Sequence, residues 1–274
     1  MKLENAMVVF WKDWKEIRRN YQVLAPILFV PMIFTTVLPL MLVVVPSAVG
    51  VPGTTIQFLG PMFENLPEEI KAAVEGMVVE QSMIYIFALY FFAPFFLIIP
   101  IMASSVIASD SFAGEKDRKT LEALLATPLT DGELLLGKVL VAFIPSMLVT
   151  VASFALYCVV VDLAYVLRFG GEALLPNALW LMLIFGVTPA VALAGIGLTV
   201  IISLRVKGYR EAQQMSAVLI VPVLALVFAQ VGGAIFFGQT MILLMAAAFA
   251  FVDAVVLALG IKRFRREDLL TKCC

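Results

Sequence analysis

Residues 83–107 read MIYIFALYFFAPFFLIIPIMASSVI, twenty-five residues without a charge. About 20 apolar residues, rising ~1.5 Å each, cross the roughly 30 Å hydrocarbon core of a bilayer, and a helix pairs its own backbone polar groups on the way. The stretch therefore predicts a membrane-spanning helix. Five further blocks, residues 23–45, 139–161, 179–204, 215–237 and 241–261, have the same character, and Asp253 is the only charged residue in all six. The whole chain of 274 residues is 62% hydrophobic and 14% charged, against about 45–50% and about 25% for a soluble domain. A water-soluble globule is excluded. The expected fold is an all-α integral membrane protein with six transmembrane helices.

The basic residues set the orientation. Segments 1–22, 108–138, 205–214 and 262–274 together hold 17 of the 19 Lys and Arg, and the alternate segments 46–82, 162–178 and 238–240 hold 2. The positive-inside bias places the first set, with both termini, in the cytoplasm. The expected organisation is a cytoplasmic amphipathic helix (1–22), a six-span domain (23–261) and a basic cytoplasmic tail (262–274) in the cell membrane. The first block is long for a signal-peptide core and lacks a small-residue cleavage site behind it, so it is expected to be retained.

Residues 7–21, MVVFWKDWKEIRRNY, place Phe10, Trp14, Ile17 and Tyr21 at helical spacing on one face, the pattern of an interfacial amphipathic helix that anchors to lipid or also touches a partner. The segment between the first two spans carries Glu64, Glu68, Glu69, Glu75 and Glu80 against Lys71 and reads as an acidic external face. Pro26, Pro31, Pro39, Pro94, Pro100, Pro145, Pro189 and Pro222 predict kinks in five spans. Gly186, Ala190 and Ala194, and again Ala246, Ala250, Ala254 and Ala258, form small-residue stripes suited to close helix approach. The three cysteines, Cys158, Cys273 and Cys274, imply no disulfide framework, and the absence of histidine excludes His-based general-base catalysis and HExxH zinc sites here. No site for a metal or nucleic acid is expected.

The second span runs into SDSFAGEKDRKTLEALLATPLTDGELLLGK, residues 109–138. Leu121, Leu124 and Leu125 share one helical face, predicting a short amphipathic helix over Glu115–Leu125 that ends at Thr127–Pro128. Thr130 and Glu133 have the spacing of a capping box that starts the third span. Gly132-Glu-Leu-Leu-Leu-Gly137-Lys138 fits GxxxxGK, but Val139 follows where a nucleotide-binding loop needs a Ser or Thr hydroxyl for magnesium, and no strand precedes it. The chain is not expected to bind ATP itself.

Gly114, Glu115, Arg118, Thr120, Leu121, Glu122, Leu124, Leu125, Thr127, Pro128, Leu129, Gly137 and Lys138 stand in the order found in the cytoplasmic loop of the ABC type-2 permease family, which this segment resembles. FAGEKDRKTLEALL looks closest to the sodium-efflux permease group, although the outer segment 46–82 is shorter than the extracellular domain of some of those relatives. The resemblance implies the membrane subunit of an ABC exporter, with two permease subunits, in a homo- or heterodimer, meeting separate cytoplasmic ATPases. Those partners would bind ATP and Mg, and the chain itself would bind no cofactor and catalyse nothing. It also implies that Glu115, Lys116, Asp117, Arg118, Thr120, Leu121, Glu122, Leu124, Leu125, Thr127 and Pro128 couple the spans to the ATPase. A nucleotide-independent, ion-coupled carrier or channel is the alternative. It would use Asp253, a carboxyl deep in the sixth span, with Gln230 as a possible partner or pathway group. An intramembrane enzyme finds no paired carboxylates or metal set.

Overall fold

The computed structural model describes residues 2–49, 66–120, 127–206, 208–236 and 238–263. Among these, the regular structure is helical throughout. An N-terminal helix, α1 (Leu3–Ile17), precedes six segments long and apolar enough to cross a membrane: Tyr21–Pro46, Val79–Asp117, Asp131–Phe169, Ala178–Ser203, Tyr209–Val231 and Gln239–Val256. A short helix, α2 (Glu68–Val74), stands before the second span. The second and third spans have 39 residues each, about 58 Å of helix and nearly twice the hydrocarbon thickness. The apolar blocks at 83–107 and 139–161 mark only their uncharged middles, and the helices continue through polar sequence.

Proline offers no N–H to the carbonyl four residues before it, and its ring crowds that carbonyl. Three spans meet this with a π turn, whose wider winding contains the displaced carbonyl. Ile33–Val37 contains Thr35, four before Pro39; Phe87–Phe91 contains Tyr90, four before Pro94; Leu183–Val187 contains Phe185, four before Pro189. Pro145, in contrast, lies within the continuous helix of the third span.

The second span is the mast of the bundle. Its most apolar window is 72% buried, against 22% for the first and fifth spans and 17% for the sixth. Three successive carbonyls in its π turn are taken by side chains from three other spans. Tyr157 donates its hydroxyl to Ala88 O at 2.8 Å, Trp180 its indole N–H to Leu89 O at 3.0 Å, and Gln230 its amide to Tyr90 O at 3.0 Å. Each bond satisfies a group that lipid cannot. Around them, Trp180 meets Phe96 edge-on at 4.8 Å and stacks on Phe154 at 5.6 Å and Tyr157 at 5.0 Å between ring centroids.

Within the chain, the small-residue stripes are only partly buried: Ala194 is 3% exposed, but Gly186 has open space beside it, and Ala250 and Ala254 are exposed. A Cβ at Gly195 would lie 2.8 Å from Ser104 Oγ, and one at Gly197 would lie 2.2 Å from Val256 Cγ1, so these glycines seat the fourth span against the second and sixth.

The loop departs from expectation at its start. Glu115–Asp117 completes the helix of the second span and does not open a new one. Lys119 then adopts φ 56°, Lys119 N–H bonds to Lys116 O at 3.1 Å and Thr120 N–H to Glu115 O at 3.0 Å. These are the two backbone bonds of a Schellman stop. The continuous helix expected over Glu115–Leu125 is therefore broken at Lys119, because the charged run that looked like a helix start closes the preceding helix. Leu121, Glu122, Leu124 and Leu125 lie outside the described residues.

Candidate functional site where α1 meets the ends of the spans

α1 buries Ala6, Val9, Phe10, Asp13 and Ile17, a face of period three to four. It sits hard against the third span at Gly137, where an added Cβ would stand 2.6 Å from Ala6 O and 2.7 Å from Val9 Cβ. One turn earlier the expected capping box is present: Thr130 Oγ1 accepts from Glu133 N–H at 3.3 Å, and the Glu133 carboxylate accepts from Thr130 N–H at 3.1 Å. That carboxylate also accepts from Lys2 N–H at 2.6 Å and Asn5 Nδ2 at 3.1 Å. One acidic side chain thus caps two helix N-termini, where the helix dipole favours a negative charge.

The buried face of α1 carries a charge, Asp13, only 3% exposed. It meets Lys138 of the third span and Glu115 at the end of the second, each 1% exposed. Lys138 Nζ lies 2.6 Å from Glu115 Oε2 and 3.5 Å from Asp13 Oδ2, and it also donates to Ser111 O and, at 3.3 Å, to Ser111 Oγ. Ser111 Oγ donates in turn to Asp13 Oδ2 at 2.6 Å. Lys12 closes the cluster, 3.0 Å from Asp13 Oδ1 and paired with Glu115 Oε1. Two ammoniums face two carboxylates, so the cluster is neutral as a whole, the condition under which charges tolerate burial. Burial lowers the pKa of Lys12, but the neighbouring Asp13 and Glu115 outweigh it and hold the ammonium above its ordinary value.

The adjoining residues of the second span reach every other neighbouring element. Asp110 Oδ1 accepts from Arg118 at 3.0 Å and from Asn20 Nδ2 at 3.2 Å, and Asn20 caps the first span by accepting from Gln22 N–H at 3.1 Å. Arg118 Nε also pairs with Glu16 of α1 at 2.9 Å. Partial burial lowers the pKa of Arg118, yet Asp110 and Glu16 hold it above its usual value, so the guanidinium stays charged. Lys116 donates to Ser203 O at 2.6 Å, at the negative end of the fourth span. Asp117 accepts from Tyr209 N–H at 2.9 Å, at the positive end of the fifth. Residues 110–118 are a hub. They bind α1 and the first, third, fourth and fifth spans through separate polar contacts.

Of the residues that the resemblance assigns to coupling, Glu115 is enclosed among charges and not displayed to solvent, while Lys116, Asp117 and Arg118 spend their charges on neighbouring helices. Thr120 closes the helix end, Thr127 is half-buried and Pro128 exposed. Gln230 is buried and bonded to Tyr90 O, with its Oε1 unpartnered among the described residues; Asp253 is half-buried, its Oδ1 likewise unpartnered. No hydrogen bond joins the two. Asp13, Asp110 and Ser111 were not singled out from sequence. For Asp13 the signal was available: it lies three residues after Phe10 and four before Ile17, on the face expected to be buried.

The family model described as ABC-2 family transporter protein matches residues 7–245. The chain belongs to the ABC-2 transporter family. It is the membrane-spanning permease component of an ABC transporter. No curated protein and no solved structure matches it. The matched region of this ABC-2 permease runs from within α1 into the sixth span, so it includes the whole hub.

Proposed function

We propose that this ABC-2 permease forms the translocation pathway of an ATP-driven exporter, pairs with a second permease subunit, and receives the stroke of a separate cytoplasmic ATPase through the loop leaving the hub. The observation that carries this reading is the hub itself. A push on the loop after Asp117 is delivered at once to α1 and to four spans other than the second, because each is tied to residues 110–118 by an ion pair or hydrogen bond. A rigid junction biased between two arrangements is what nucleotide-driven transport requires. Docking falls to the loop beyond Lys119, including Glu122, and transmission to the enclosed residues Glu115, Lys138 and Asp13.

The test is purification from native membranes without crosslinking. An ATP-hydrolysing subunit should accompany the chain, and Glu122→Lys should lower its permease-dependent hydrolysis at least threefold while leaving nucleotide binding unchanged. Recovery of the permease alone, or full hydrolysis by the variant in an assembled complex, would overturn the coupling assignment.

The alternative, a nucleotide-independent carrier, draws on the unpartnered Oδ1 of Asp253. It predicts transport that survives ATP depletion and is abolished by Asp253→Asn.

A further inference from the structure

The fifth span is fastened differently at its two ends. At its cytoplasmic end it is held by Asp117 on Tyr209 N–H and by Thr199, which donates to Ser216 Oγ at 3.1 Å. From Ala217 to Ala229 every residue is apolar. The buried seam is thin, Val223 and Val227, while Val218, Val221 and Phe228 are exposed. Between helices in lipid such apolar contact gives little specific attraction. At the far end the helix stops in a second Schellman turn, with Gly233 at φ 71° and Ala234 N–H on Ala229 O at 2.9 Å. This turn brings Phe236 back onto the Tyr90 ring, 4.9 Å between centroids, beside Leu66, Ile70 and Ile86. Tyr90 is thus gripped twice by one segment: its carbonyl by Gln230, its ring by Phe236.

We propose that the outer end of the fifth span is a latch: Gln230 and Phe236 hold Tyr90 in this state and release it during the transport cycle. The grip has a built-in weakness. Gln230 is 1% exposed, and only its amide N–H is used; its Oε1 is buried without a partner among the described residues. An orphaned acceptor penalises the closed arrangement and is relieved when the amide reaches water. Against this, release costs the Tyr90 carbonyl, displaced by Pro94, the bond from Gln230. The two penalties oppose each other, which makes a contact switchable by a modest bias. With the cytoplasmic end pinned to the hub, motion there tilts an apolar rod whose far end is tied, among the described residues, by the Gln230 bond to Tyr90 O.

The latch rests on the nucleotide-driven reading, and its test separates the two. Tyr90→Cys and Phe236→Cys are introduced together with the native cysteines replaced by serine, a pair that removes the ring contact but keeps the Gln230 bond to the backbone carbonyl of residue 90 and so reads that bond, and membranes are treated with a short bifunctional thiosulfonate. Crosslinking is expected without nucleotide and should fall at least threefold with ATP and vanadate. Gln230→Leu should lower the nucleotide-free yield at least threefold on its own, and Gln230→Asn, carried as a folding control, should be recovered from membranes at the same level as the parent. Equal yields with and without nucleotide, in membranes whose ATPase does trap vanadate, would overturn the latch and leave the exporter reading standing. If no ATPase accompanies the chain the exporter reading fails, and an unchanged yield in Gln230→Leu would then dismiss the latch as well.

Discussion

Lys138 of the third span places its ammonium 2.6 Å from the Glu115 carboxylate at the end of the second, and the two side chains are each 1% exposed. Such a pair adds little stability over an apolar substitute, because desolvation offsets the attraction; removing one partner is what costs. Lys138→Met and Glu115→Gln should each destabilise the purified permease by about 3–5 kcal/mol, while the double variant regains most of the loss. Thermal unfolding followed by tryptophan fluorescence gives the cycle. Strictly additive single effects would mean the pair is not coupled.

Gly137→Ala sets two effects against each other. Alanine in mid-helix is favoured over glycine by about 1 kcal/mol, but overpacking costs roughly 1–3 kcal/mol. Here the new methyl would meet the Ala6 carbonyl at 2.6 Å, and backbone has no rotamer to yield. The clash should win and lift α1. Val9→Cys, at a position only 2% exposed, should then label with maleimide much faster in the Gly137→Ala background; equal rates would show that α1 stays seated.

Lys119 holds a left-handed conformation that costs an L-residue roughly 1–2 kcal/mol, partly recovered in glycine against its greater unfolded-state freedom. Stability should rank Lys119→Gly above the native residue and Lys119→Val below it, each step about 1 kcal/mol or less for glycine and about 1 or more for valine. Valine matching lysine in a denaturation series would contradict the helix stop.

Orientation can be read by labelling. Single cysteines at Glu68 and Glu172, both exposed, should react with an impermeant thiol reagent in intact cells, whereas one at Lys119, also exposed, should react only after permeabilisation. The opposite result would invert the topology.

Helix count and the membrane class were legible because charge depletion over 20 residues has one physical solution in lipid. Helix ends were not: nothing in SDSFAGEKD distinguishes a loop from nine more helical residues until Asp110, Ser111 and Glu115 find partners on other helices. The Thr130–Glu133 box was readable since capping is local. Its second task, holding the start of α1, depends on residues more than 120 positions away. Gln230 read as a candidate partner of Asp253 or a pathway group, and the partner it has was invisible because it is a backbone carbonyl, which has no letter in the sequence. Pro94 was the clue, as it frees the Tyr90 carbonyl four residues earlier.

The three donors to the π turn of the second span have a consequence for how the chain is made. Ala88, Leu89 and Tyr90 leave the ribosome 69, 91 and 140 residues ahead of Tyr157, Trp180 and Gln230 respectively. During that interval the three carbonyls lack these side-chain donors, and hydrocarbon offers no substitute. Holding the second span beside water, in an insertion channel or under a chaperone, until the fifth span arrives avoids that cost. Nascent chains stopped before residue 230 should therefore be held by the insertion machinery, and their release should come with the last of the three donors.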